Sequence, residues 1–149
     1  MHEAGHVVIA KMLRVPACAY ICFNPETDFD FRTERIWYGR TLCFGDTATE
    51  DQSRMIGVAG AVAELCWFRE PVDEFVGQLM SERDCLMAQC DPDDPDDKCI
   101  EAVDAVYRIL RPSGSHWHHL LIEARKLILT SQGIVRANTK QIAVCENAV

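Results

Sequence analysis

Between Met55 and Phe68 the chain reads MIGVAGAVAELCWF, and Glu64 is its only charged residue. Thr49, followed by Glu50 and Asp51, is the kind of start a helix needs: a capping hydroxyl, then two acids facing the positive end of the helix dipole. A helix from Gln52 to Phe68 with these residues is apolar on almost every face, so it predicts the buried centre of a fold that other elements must surround. A lone carboxylate in such a helix costs several kcal/mol unless something neutralises it, which singles out Glu64.

The elements around that centre are legible from periodicity. Residues 2 to 13 predict a helix with Val8, Ile9, Met12 and Leu13 toward the core, ended by Val15-Pro16. Two β-like runs follow, Ala19 to Phe23 and Ile36 to Phe44, separated by NPETDFDFRTE, whose composition is that of an exposed loop. Ser81 with Asp84 three residues on opens a short helix through about Gln89, with Leu86 and Met87 as its apolar contacts. The run DPDDPDD, Asp91 to Asp97, lacks the Gly and distal Glu of a calcium loop and reads as a turn whose last aspartates cap the next helix. Three more helices are expected. Val103, Val106, Tyr107 and Leu110 mark the first, Trp117, Leu120, Leu121, Ala124, Leu127 and Ile128 the second, and Ile142 with Ala143 a short third. The fold class expected is α+β, mostly α-helical, with a small antiparallel sheet or hairpin. With 149 residues and 48% apolar content, it is expected as one domain over 1–149, residues 1–90 bearing the motifs and 96–149 the C-terminal helices.

Charge narrows the partners. A net charge of −8 has the wrong sign for a general attraction to nucleic acid or anionic lipid, and no apolar stretch reaches the length of a bilayer-spanning helix. Neither a nucleic acid nor a membrane partner is expected, and the cytoplasm is the expected compartment. Cys18, Cys22, Cys43, Cys66, Cys85, Cys90, Cys99 and Cys145 lie among Ala, Val and Leu without a C-x-x-C pair, and read as reduced, small core residues.

The chemistry is concentrated at one end. His2-Glu3-Ala4-Gly5-His6 is H-E-x-x-H, which occurs by chance in roughly 1% of shuffled chains of this composition. On a helix, residues four apart share a face, so His2 and His6 can both direct an imidazole nitrogen at one Zn2+ ion while Glu3 sits one step round the cylinder. Zinc with three protein ligands keeps a fourth position for water and lowers its pKa to about 7, and the adjacent carboxylate takes the proton as the water attacks a peptide carbonyl. Glu3 is therefore the candidate catalytic base.

The third ligand is less direct. Metzincins place a Gly and a His three and six residues after the second His, but Ile9 and Met12 occupy those positions here. His116, His118 and His119 lie in SHWHH, where adjacent histidines on a helix point in different directions, so they read as a solvent-facing helix start. A carboxylate is left, and the residues alone leave both Glu64 and Asp84 open.

The order of three motifs bears on that choice. HEAGH, then Gly60-Ala61-Val62-Ala63-Glu64-Leu65, then Ser81-Glu82-Arg83-Asp84-Cys85-Leu86-Met87-Ala88, resembles the peptidase domain of the FtsH family of ATP-dependent zinc proteases. The family has HEAGH, a helix with a Gly-x-Ala-Ala-Glu pattern, and an Asn-Asp-Leu-x-x-Ala segment whose Asp is the third zinc ligand. The resemblance covers His2 to about Gln89, and more loosely the later helices. It implies Asp84 as the ligand, with Glu64 supporting a ligating histidine. Arg83 replaces the family's Asn, Val62 an Ala, and Leu65 a common second Glu. Trp37-Tyr38-Gly39-Arg40-Thr41-Leu42 is similar to the family's edge strand, which implies Tyr38, Gly39, Arg40 and Thr41 as the strand that binds substrate by β-augmentation.

The resemblance thus implies a zinc metalloendopeptidase acting on peptides or unfolded protein segments. Nothing in these 149 residues resembles the family's ATPase module or membrane anchor, so a separate ATPase partner or a homo-oligomer is the implied setting. The alternative is a zinc-binding module or regulatory pseudo-peptidase working through a partner protein, against which the intact Glu3 argues. If Met1 is the true start, the ligand helix lacks a preceding turn and places an ammonium and the positive dipole end near the metal, which predicts weak zinc retention.

Overall fold

Helix α2 (Glu50–Phe68) forms where the apolar run predicts it. Gln52 N–H donates to the Thr49 hydroxyl at 3.3 Å, and Thr49 N–H donates to the Gln52 side chain at 2.9 Å, a reciprocal cap that fixes the first turn. Arg69 ends the helix in the left-handed region at φ 59°. Every residue from Ile56 to Ala63 is buried, and Trp67 and Phe68 emerge at the far end, 50% and 68% exposed. Arg54, immediately before the apolar run, is also buried, with Asp51 3.5 Å from its guanidinium.

The computed structural model describes residues 1–23, 37–43, 48–72 and 76–136. Around α2 stand α1 (His2–Met12), an antiparallel pair β1 (Ala17–Phe23) and β2 (Trp37–Cys43), a 3₁₀ turn at Val76–Leu79, and α3 (Glu82–Ala88), α4 (Asp97–Leu110) and α5 (Trp117–Arg136). The architecture is mostly helical α+β with a two-stranded sheet, as expected. The expected loop at 24–34, Ile36 and Phe44 at the ends of the second strand, and the segment at Ile142 lie outside the described residues. No helix among the described residues is long and apolar enough to cross a membrane.

Small residues bring the helices close. A Cβ at Gly5 of α1 would stand 2.7 Å from Ala63 Cβ, and one at Gly57 of α2 would stand 2.6 Å from Ala88 N and 2.8 Å from Ala88 Cβ. Both α1 and α3 therefore meet α2 backbone to backbone. Contrary to the sequence-based expectation, Leu86 does not anchor α3: it is 72% exposed, whereas Ala88 is fully buried and Met87 only partly. The anchor is the absent side chain at Gly57.

The remaining helices close the core. Asp96 caps α4 by accepting Cys99 N–H at 2.7 Å, as the acidic run predicts, and Val103, Val106 and Leu110 are buried. Helix α5 buries Leu120 and Ala124 and is tied to α1 by Lys11–Glu123 at 2.8 Å. The expected apolar stripe of α5 stops short, because Ile128 is 49% exposed. Among the described residues, Cys43, Cys66, Cys85, Cys90 and Cys99 are free thiols. Burial pushes the Cys66 thiol up to about 11; for Cys90, burial with the neighbouring Cys99 takes it to about 12, so neither is a ready nucleophile.

Gly57→Ala forces α3 away from α2. Overpacking of this kind costs about 1–3 kcal/mol, which we expect as a lower urea midpoint, accompanied by displacement of Asp84, which rides on α3.

Candidate functional site

His2 and His6 lie one turn apart on α1, their rings 4.8 Å apart between centroids. Both Nε2 atoms face Asp84 on α3: His2 Nε2 is 3.1 Å from Oδ2 and His6 Nε2 is 3.3 Å from Oδ1. One donor atom from each of the three residues falls within 4.8 Å of the other two.

The opposite nitrogens are also held. His6 Nδ1 lies 2.6 Å from the Ile56 carbonyl oxygen. A carbonyl has no proton to give, so Nδ1 is the donor and neutral His6 presents its Nε2 lone pair to the site. His2 Nδ1 faces the Glu64 carboxylate at 3.5 Å. Asp84 is aimed by the cap of its own helix, where Ser81 N–H donates to Oδ2 at 3.0 Å and the Ser81 hydroxyl does so at 2.8 Å. Gly60 of α2 lies beneath both rings, and a Cβ there would overlap both Nε2 atoms.

Electrostatics follow from this crowding. For His2, burial opposes the charged form, but the Asp84 and Glu64 carboxylates outweigh it and hold the pKa at about 9. For His6, burial and the neighbouring His2 charge lower it. For Asp84, burial is outweighed by His2, His6 and the Ser81 donors, which bring it down to about 2.

Glu3 stands beside this cluster on the next position of α1. Its side chain lies over Gly39 of β2, where a Cβ would be 2.6 Å from both Cγ and Oε1. The Thr41 hydroxyl donates to Glu3 Oε2 and also reaches the Glu3 backbone carbonyl at 3.4 Å. These groups open on a cavity of about 1240 Å³, with Trp67, Leu79, Ile128 and Leu129 on its apolar walls. That volume lies above the roughly 300–1,000 Å³ of ordinary small-molecule pockets.

No protein-family model and no curated protein matches the chain.

The structure brings together His2, His6 and Asp84, with Glu3 adjacent. Glu64 lies outside that cluster, at His2 Nδ1, with a side chain 35% exposed rather than stranded in the core. Tyr38, Gly39, Arg40 and Thr41 fall on β2, in register with Cys22, Ile21, Tyr20 and Ala19 of β1, and no other strand among the described residues pairs with β2. The Thr41 side chain, expected on a substrate-binding strand, is committed to Glu3. His118 and His119 are exposed, and His116 is hydrogen-bonded to Ser115, its ring tilted at 44° to that of His119. Sequence reading missed the Ile56 carbonyl, which leaves no signature in residue type, and the fit of Gly60 under the rings. It also used Ser81 only as a cap, though a capping Ser three residues before a candidate ligand signals an oriented carboxylate.

The ion pair fixes how stability depends on pH in chelator-treated protein. The His2 contribution is complete below the unfolded value of 6.5 and is lost as pH rises through about 9. The Asp84 contribution is present above 3.8 and is lost as pH falls through about 2. We expect urea midpoints of wild type relative to His2→Gln to show their largest gap between these limits and to converge toward pH 9 and above.

Proposed function

We propose that the chain is a zinc-dependent metallopeptidase resembling the FtsH peptidase domain, hydrolysing peptide bonds in peptides or unfolded segments. The observation that carries the reading is the convergence of His2 Nε2, His6 Nε2 and the Asp84 carboxylate, with Glu3 beside them.

The residues fit a zinc ion. Two imidazole nitrogens and one carboxylate are a donor set that zinc accepts in catalytic sites, leaving a position open. The bond from His6 to the Ile56 carbonyl supplies the tautomer a ligand needs, and Glu64 can do the same for His2. Gly60 keeps the ground beneath the two nitrogens clear of a side chain. When bound, zinc acts as a Lewis acid that acidifies water and polarises a carbonyl.

The chain's own groups do the rest. Glu3 accepts a proton from the attacking water and returns it to the departing amine. Asp84, oriented by Ser81, neutralises positive charge at the centre. The edge of β2 that no described strand covers offers backbone groups to an extended peptide, and the apolar walls of the cavity take its side chains. An unfolded segment suits such a cleft, and a separate ATPase or further copies of this chain are the partners we propose for it. The free thiols and acidic charge fit a cytoplasmic setting.

Cleavage of fluorescein-labelled casein with added zinc tests the reading. We expect wild type to cleave, Glu3→Gln to lose about 100-fold or more while still binding zinc, and Asp84→Ala to lose both activity and zinc. Zinc binding by wild type with no cleavage of casein or of an unfolded peptide library contradicts the peptidase reading and favours a binding module.

A further inference from the structure

Glu3 is the one residue of the site whose side chain is held neither by its own helix nor by α2. Its placement comes from β2, through two residues on the same face of that strand. Gly39 leaves room for the carboxylate, since any Cβ there would collide with Glu3 Cγ and Oε1. Thr41, two residues on and buried, donates its hydroxyl to Glu3 Oε2 and lies 3.4 Å from the Glu3 backbone carbonyl.

We infer that Thr41 is a positioning residue for Glu3, its hydroxyl fixing the carboxylate in the orientation that receives the proton during hydrolysis. The inference rests on the peptidase reading given above. A Glu side chain has three rotatable bonds, and freezing it has an entropic cost that a free carboxylate at a helix start would not meet. A charge-assisted bond to a hydroxyl on a neighbouring strand offsets that cost, and the floor at Gly39 removes the competing rotamers. The two carboxylate oxygens thereby acquire different tasks. Oε2 is occupied by Thr41, whereas Oε1, over Gly39, is left to accept the proton as the water oxygen bonds to the carbonyl carbon. When the C–N bond breaks, that proton passes to the departing amine, and Glu3 is again a carboxylate.

The arrangement also couples substrate and base. Thr41 turns its side chain to Glu3 while its backbone lies in β2, the strand on which the proposed peptide would be added. Substrate pairing along β2 would therefore stiffen the residue that aims the base.

Thr41→Val removes the hydroxyl at nearly constant shape, Thr41→Ser keeps it, and Gly39→Ala pushes the carboxylate off its floor with Thr41 intact. On labelled casein with zinc we expect Thr41→Val to lower kcat about 10- to 100-fold with KM within about threefold, and Thr41→Ser to stay within about threefold of wild type in both. Zinc affinity by chelator competition should be unchanged in both variants, since Glu3 is not a ligand. Crystal structures supply a readout independent of turnover: the Glu3 carboxylate should leave its place over Gly39 in Thr41→Val and keep it in Thr41→Ser. If Thr41→Val does not fold, Gly39→Ala carries the test with the same expected kcat loss and displacement.

Unchanged kcat in Thr41→Val, equal loss in Thr41→Val and Thr41→Ser, or an unmoved Glu3 in Thr41→Val would each overturn the inference; for Gly39→Ala, unchanged kcat or an unmoved Glu3 would do so. Wild type that cleaves nothing instead overturns the peptidase reading, and the position of Glu3 in the variants then decides the positioning role by itself.

Discussion

The site depends on how closely α1 and α3 approach α2. Glycine and alanine at the two contacts let backbone meet backbone, so helix separation is set by hard contact at Gly5 with Ala63 and at Gly57 with Ala88. Helix α1 carries His2, Glu3 and His6, and α3 carries Asp84. The gap between them is therefore fixed by the thickness of a helix without side chains on the facing positions. Interiors packed this tightly do not deform continuously, which is what a cluster with separations near 3 Å requires.

Close packing sets distances, and hydrogen bonds set directions. The polar side chains of the site are aimed from three places in the fold: α2, the cap of α3 and β2. The Ile56 carbonyl of α2 fixes His6, the Ser81 cap fixes Asp84, Glu64 faces His2, and Thr41 of β2 holds Glu3. Orientation from outside the cluster leaves the inward-facing atoms available. The same crowding explains the opposed protonation tendencies of the two histidines: His2, beside two carboxylates, holds its proton, while His6, buried and next to His2, gives its proton up.

The sequence displays this structure unevenly, and the reason is physical. Helix α2 is unmistakable because burial on all faces demands apolar residues everywhere, and its Thr49 cap is a local signal. His2, Glu3 and His6 are legible because helical periodicity alone puts them side by side. Asp84 is not, since its approach to the histidines depends on how α3 seats against Gly57, a tertiary event without local periodicity; resemblance pointed to it where residue chemistry left Glu64 equally open. Leu86 misled for the same reason, as an apolar residue on a short helix is no proof of contact when a glycine across the interface does the anchoring. The role of Thr41 was hidden by its strand, whose alternation shows which residues share a face and not which helix that face meets.

We propose that His2, His6 and Asp84 form a single zinc site, with Glu64 behind His2 rather than in contact with the ion. Anomalous scattering at the zinc edge, from crystals of the full chain grown with zinc, locates the ion and its ligands. We expect one strong peak bounded by His2 Nε2, His6 Nε2 and the Asp84 carboxylate, with Glu3 close by and not bonded to it. A peak with Glu64 as ligand and Asp84 remote, or no peak among these residues, would contradict it.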